Sequence, residues 1–367
     1  MTEETKIKDL LEKGAEEGVF PGAELIVVRS GEIVFLEATG HRSLIPERRP
    51  METGTIFDLA SLTKPLATTL ALMKLVDQGI LNLDQPLTTL LPKPLPDDKQ
   101  NITLRLLLCH SAGFVDWKPF YLDLVNYDHK KRKGVLRSRI LQEPLSYVPG
   151  DQTLYSDLGF MILEWVLEKA CGMPLPQYIE QHFYGPLSLQ KTFFIEGNRQ
   201  DQYPIHDFAP TEACPWRTKV LQGEVHDENA HALGGYSGHA GLFGTAEEVY
   251  EIVTLLREHY LGIRQDYLNP ETVRTFFTRQ TKTEGSTWAL GWDTPSLKDS
   301  SSGRFFSENS VGHLGFTGTS VWMDLEKDVV VILLTNRIHP TRENVKIRAF
   351  RPTLHDTIME TLFDGGN

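Results

Sequence analysis

The hydrophobic pattern of this chain changes period along its length. Residues 7–17 place apolar side chains at helical spacing and lead into Phe20-Pro21-Gly22. Residues 23–29 and 33–39 are short runs of β-formers separated by Ser30-Gly31, which predicts an antiparallel hairpin. A second hairpin is predicted near the far end, where residues 320–325 and 329–335 flank Glu326-Lys327-Asp328. Most of the chain between the hairpins has a helical rhythm. Strands at both ends with helices between them predict an α/β (α+β) fold, an antiparallel sheet formed by both termini, flanked by helices, with a mostly helical insertion.

Two central helices carry the interest. From Leu62, apolar residues recur at Leu66, Leu70, Met73 and Val76, with Gly79 as the expected stop. The other is predicted over residues 156–170, with Leu158, Ile162, Trp165 and Val166 on one side and Gly172 just past its end. Pro92, Pro94 and Pro96 mark a loop, and Thr103 is placed to cap the helix after it.

Composition removes whole classes of function. The 367 residues are 40% hydrophobic and 23% charged, a globular balance. Lys and Arg number 37 against 49 Asp and Glu, a formal charge of −12, so no nucleic acid or anionic membrane is expected as a partner. Cys109, Cys171 and Cys214 are too scattered for a disulfide framework, and no CxxC pair exists for zinc. No run of about 18 apolar residues occurs, so no membrane span is expected. The polar N-terminus lacks a signal peptide's apolar core, which predicts a cytoplasmic protein, or a periplasmic or extracellular one if a leader has been removed.

Among chemical motifs, the G-x-S-x-G elbow, H-E-x-x-H and the phosphate-binding loop are missing; Gly235-Tyr-Ser-Gly-His239 is a near miss. What remains is Ser61-Leu-Thr-Lys64. A serine needs a base, and a lysine three residues on shares its helical face. At a helix start, unpaired backbone N–H groups also face a developing oxyanion. The pattern is short, and Ser188-Leu-Gln-Lys191 matches it too, but Ser188 sits in a turn whereas Ser61 opens the long helix. The structural alternative for Ser61 is an N-cap. Tyr155-Ser-Asp157 supplies a phenol and a carboxylate at the start of the second helix, with an N-cap as the alternative role for Asp157. Gly312-His-Leu-Gly-Phe-Thr-Gly-Thr-Ser320 then offers a glycine-rich strand edge to a substrate backbone.

In this order these elements resemble the serine β-lactamase and penicillin-binding-protein superfamily. The nearest branch is the class C-like group of family VIII carboxylesterases, D-peptidases and muramyl-peptide amidases. The likeness extends to residues 55–65, 102–113, 148–157, 226–230, 238–244 and 334–340. It implies one β-lactamase-like unit over 1–367, with a sheet subdomain at about 1–75 and 230–367 and a helical one at about 76–229. It implies Ser61 as the acyl-forming nucleophile, Lys64 as the group that helps deprotonate it, and Tyr155 as partner acid and base. Asp157 stands where many relatives carry Asn. The N–H groups of Ser61 and Phe316, the latter following Gly315, would form the oxyanion hole.

One departure limits the substrate. Where relatives carry Lys-Thr-Gly or His-Thr-Gly, this chain has His313-Leu314-Gly315. Leu314 removes a hydroxyl for a substrate carboxylate, and His313 at an ordinary pKa of about 6.5 is mostly neutral near neutrality. Arg337 and Arg342 are candidates to replace that charge. His226, Asp227, His231 and His239 match no common zinc spacing, so no metal and no cofactor are expected. The resemblance places that stretch near the cleft.

The leading reading is a serine hydrolase that cleaves an amide or ester of cell-wall-derived or D-amino-acid-containing peptides through a Ser61 acyl-enzyme. Its alternatives are a family VIII-type carboxylesterase, a β-lactamase or D,D-carboxypeptidase, and a non-catalytic muropeptide sensor. The expected partner is a small-molecule or peptide substrate, and the pattern implies no oligomeric state.

Overall fold

A computed structural model describes residues 3–195 and 199–363. Its main sheet has six antiparallel strands in the spatial order Arg49–Pro50, Glu32–Ser43, Gly22–Arg29, Val329–Thr335, Ser320–Asp324, Ser310–Leu314. The two predicted hairpins join through their inner strands, Ala23 opposite Thr335 and Arg29 opposite Val329. The sheet is therefore closed by the two ends of the chain, as the pattern predicts. Its inner strands read as nearly continuous apolar runs, interrupted at Glu24, because both faces are covered. Leu25, Val27, Val331 and Leu333 meet Leu11 and Leu354 of the terminal helices, Glu3–Glu16 and Ile347–Phe363. Ile26, Val28, Ile332 and Leu334 point the other way, into the core shared with the central helices. Each such fully buried aliphatic side chain contributes about 1.5–3 kcal/mol by leaving water. No helix among the described residues is long and apolar enough to cross a membrane.

The central helices differ from expectation in ways that matter. The segment from Leu62 is a 3₁₀ turn (Ala60–Leu62), a π-helix (Lys64–Thr69) and then an α-helix (Leu70–Asp77). It is buried nearly all round rather than on one stripe, because it runs through the shared core. Ser61 lies inside the 3₁₀ turn and makes no cap, which corrects the N-cap alternative. The second helix is Asp157–Cys171, and Gly172 ends it at φ 75°. Its cap is Ser156, whose Oγ accepts from the Gly159 N–H at 3.4 Å, so Asp157 is released from capping. Thr103 caps Leu104–Leu108 as expected.

A second, three-stranded sheet escaped the pattern altogether. Phe57–Asp58, Leu242–Gly244 and Phe193–Phe194 pair in the order that puts 242–244 in the middle. Strands of two or three residues are too short to show a period. This small sheet delivers residues 237–241 to the loop that carries Ser61.

Candidate active site

The loop before Ser61 is held under strain. Ala60 has φ +48°, uncommon for a residue with a Cβ, and its N–H donates to Asp58 Oδ1 at 2.9 Å. Asp58 Oδ2 accepts from the His226 N–H at 2.7 Å, and burial pushes this carboxyl up. Thr317 and Thr319 spend their hydroxyls on the carbonyls of Asp58 and Leu59, at 2.8 and 3.2 Å. The glycine-rich segment thus braces the nucleophile turn. Neither the Ser61 N–H nor the Phe316 N–H bonds to protein among the described residues, which leaves both for a ligand oxygen.

Lys64 is the hub. Fully buried, its Nζ donates to Ser61 Oγ at 3.0 Å, Asp157 Oδ1 at 2.7 Å and the His239 carbonyl at 3.2 Å. Three protons meet three acceptors. Burial alone would lower this ammonium, but Asp157 and then Tyr155 outweigh it and hold it above its ordinary value. The Lys64 ammonium lies 4.8 Å from the Tyr155 ring centre. The Tyr155 hydroxyl is buried without a hydrogen bond of ordinary geometry, although Lys64 and Ser61 are close enough to influence it. Burial keeps its phenol raised, so it stands protonated. His110 and Trp288 form the floor under its ring, at 4.6 and 5.6 Å between centroids.

His313 donates from Nδ1 to the Leu314 carbonyl at 2.9 Å, which leaves Nε2 buried and unpaired. Burial and then Lys64 push it down to about 3, so it is neutral at neutral pH. The second Ser-x-x-Lys does not assemble: Ser188 is exposed, and Lys191 Nζ donates to the Gly54 carbonyl at 3.2 Å. Ser61, Lys64, Tyr155, Asp157, His313, Gly315 and Phe316 lie together around a cavity of about 640 Å³.

The histidine-rich stretch splits. His226 stacks on Phe316 with centroids 5.5 Å apart, and His231 packs instead against Trp216, outside the cavity lining. His239 Nε2 pairs with Asp227 Oδ1 at 3.0 Å, and its Nδ1 is buried without a partner. Burial works against the charge on His239, but Asp227 and Asp157 raise it above its ordinary pKa. Burial also opposes ionisation of Asp227, yet His239 holds that carboxyl well below the usual range. One ligating atom each from Asp157, Asp227 and His239 lies within 4.8 Å of the others, close enough for a metal ion. The Lys64 ammonium already occupies Asp157, and Asp227 occupies His239, so an ion-pair network accounts for the cluster. This contact was invisible to spacing. Its signal is Gly238, where a Cβ would come within 2.2 Å of the Phe160 carbonyl, a close approach that presses residues 237–239 onto the second helix.

On the far wall sequence reasoning named Arg337 but missed Arg348 and Arg351. Arg337, Arg348 and Arg351 line the cavity, and none has a carboxylate partner among the described residues. Arg337 and Arg351 are only 8% and 4% exposed, each with an unpaired Nε. Arg342, the other arginine singled out, is neutralised by Glu212 and Glu228.

Fold and site together define a serine hydrolase of the β-lactamase family. The Beta-lactamase family model matches residues 7–352, and the chain belongs to that family. It is 35% identical to an N-acetylmuramyl-L-alanine amidase of Bacillus subtilis, over 91% of this chain and 81% of that one. It is 32% identical to a provisionally named D-alanyl-D-alanine carboxypeptidase of Escherichia coli, over 87% of this chain and 79% of that one. Its fold matches EstCE1, a hydrolase with promiscuous acyltransferase activity, at TM-score 0.72 and 23% identity, over 95% of this chain and 98% of the other. It also matches simvastatin synthase LovD of Aspergillus terreus at TM-score 0.74 and 18% identity, over the whole of both chains.

Proposed function

We propose that the chain hydrolyses the amide between a muramyl lactyl group and the first residue of an acidic stem peptide. Ser61 Oγ attacks the carbonyl carbon, and its proton passes to Lys64 as the Lys64 ammonium, protonated at rest, hands one of its own to Asp157 Oδ1. The carbonyl oxygen gathers charge against the N–H groups of Ser61 and Phe316. Collapse breaks the C–N bond, the leaving amine takes its proton through Tyr155, and water then hydrolyses the acyl-Ser61 ester.

The observation that carries this reading is the unbalanced arginine wall. Burying a cation without a counter-ion costs several kcal/mol, a cost that makes sense where a substrate supplies the anion. Burial and then Arg348 lower Arg337 to about 10, while burial and then Arg337 lower Arg351 to about 9. Both remain cations at neutral pH, and a peptide carboxylate relieves them. The 35% identity to an N-acetylmuramyl-L-alanine amidase points to the same substrate. The three free cysteines suit a reducing compartment, in line with a cytoplasmic enzyme working on imported fragments.

A carboxylesterase is the second reading, favoured by Leu314, which lines the cavity where a hydroxyl-bearing residue would aid a carboxylate. Mass spectrometry of products and acyl-enzyme across a muramyl dipeptide, a p-nitrophenyl ester and nitrocefin separates them. The expected result is release of a free L-alanyl peptide, with nitrocefin the poorest substrate. Ester turnover with no amide cleavage overturns the amidase reading.

A further inference from the structure

Beside Asp157 the cavity wall changes character. Residues 116–121 carry Trp117, 40% exposed and lining the cavity, and Tyr121. Tyr121 meets Trp117 at 6.5 Å between ring centroids and Trp216 at 4.6 Å; Trp216 is 36% exposed. Trp216 lies outside the cavity lining against His231 and Arg217, so it braces Tyr121 while Trp117 alone presents its ring to the cavity. An exposed aromatic ring in a cleft marks a ligand surface more often than a packing remnant.

This surface is rigidly referenced to the chemistry. The Asp116 carbonyl accepts from the Asp157 N–H at 2.9 Å, and the Val115 carbonyl from Ser156 Oγ at 2.6 Å. Asn229 ties down the other end, accepting from the Tyr121 N–H and donating to the Lys118 carbonyl, both at 2.9 Å. Trp117 is therefore fixed next to the residue whose carboxylate holds Lys64. Of the cavity's carboxylates, Asp227 and Glu228 are already paired with His239 and Arg342, whereas the exposed Asp116 beside Trp117 has no cation among the described residues. An anionic peptide is repelled here and drawn to the arginines. A neutral pyranose fits instead, because its slightly positive C–H face complements the negative face of an indole. Its hydroxyls can donate to the exposed Asp116 carboxylate and accept from the Trp117 indole N–H, which has no protein partner among the described residues.

We propose that Trp117, backed by Tyr121 and Trp216, forms the subsite for the sugar ring on the acyl side of the scissile amide. The inference rests on the amidase reading and gives the substrate a direction: sugar toward Trp117, leaving peptide toward Arg337, Arg348 and Arg351.

The test compares two substrates that share one scissile amide and one leaving peptide. The first is N-acetylmuramyl-L-alanyl-D-glutamate; the second is the same dipeptide acylated by D-lactate alone. Steady-state kinetics are measured on the wild type and on Trp117→Ala, Trp117→Phe and Trp216→Ala. The ratio of kcat/KM for the sugar-bearing over the sugar-free substrate is expected to fall about tenfold in Trp117→Ala, mainly through KM, and less in Trp216→Ala. Trp117→Phe is expected to recover most of it. A fall below about threefold in Trp117→Ala overturns the subsite, since a merely structural loss lowers both substrates together. Failure of the amidase reading looks different: the wild type then cleaves neither amide.

Discussion

The two walls of the cavity treat charge in opposite ways. On the nucleophile side each cation is matched before any substrate arrives: Lys64 by Asp157 at 2.7 Å, His239 by Asp227 at 3.0 Å, Arg342 by Glu212 and Glu228. On the other side Arg337, Arg348 and Arg351 have no carboxylate among the described residues, and two of them are buried with unpaired Nε atoms. Groups that must hold one geometry through a reaction gain from a complete network, because an electrostatically preorganised site does not reorganise at the transition state. Groups that wait for a ligand gain from being left incomplete, since the ligand then supplies the missing partner. Balance marks the chemistry and imbalance marks recognition.

The largest effect should come from breaking the balanced wall. Ser61→Ala is expected to lower turnover by about 10³-fold or more and to abolish labelling by a fluorophosphonate probe. Labelling that persists, or that moves to Ser188, sinks the nucleophile assignment. The folded state of this variant should be intact by circular dichroism, because Lys64 keeps Asp157 and the His239 carbonyl.

How much of this contrast was legible beforehand follows from the range of the interactions. Ser61 and Lys64 are three residues apart on one turn, so local spacing exposed them, and Tyr155 and Asp157 were marked by the helix they open. The terminal sheet was legible because runs of seven or eight strand residues leave a pattern. His239 reaches Lys64 only through two- and three-residue strands and the close approach at Gly238, none of which has a period. Arg348 and Arg351 lie on the C-terminal helix, where a cation with no partner looks the same in sequence as a solvated one. The unwound start of the Ser61 helix was missed because apolar spacing does not distinguish 3₁₀, π and α turns over one or two turns.

The next prediction attacks the unbalanced wall. Arg351→Met should raise KM for the acidic muramyl dipeptide about 10- to 100-fold and leave kcat for a neutral ester within about twofold. Its Tm in the absence of substrate should hold or rise, because the substitution removes a buried cation that has the Thr319 carbonyl at 2.9 Å but no carboxylate among the described residues. Any fall in Tm of several degrees with KM unchanged means the arginine is structural, and the comparison between the walls fails there.

A third place with crowded like charge sharpens the rule. Glu24 is 0% exposed on a central strand, Oε2 unpaired, in the field of Glu247. No ligand is required here, because a carboxyl can shed its charge where a guanidinium cannot. Burial, and then Glu247, push Glu24 up to about 8, so it folds as the neutral acid. Its raised pKa gives stability that is fully present below about pH 4.5, the unfolded value, and is lost as pH rises through about 8. Thermal melts of the wild type from pH 5 to 9 should therefore show a decline, on the order of a few kcal/mol at most. Glu24→Gln keeps the shape and an oxygen for the Gly54 N–H, which donates to Glu24 Oε1 at 3.3 Å, while removing the titrating proton, so its melts should lose much of that slope. The difference from wild type should be smallest at pH 5 and largest at pH 9. Parallel curves for the two proteins would mean that Glu24 is already ionised in the fold, and that unbalanced charge in this molecule needs no relief.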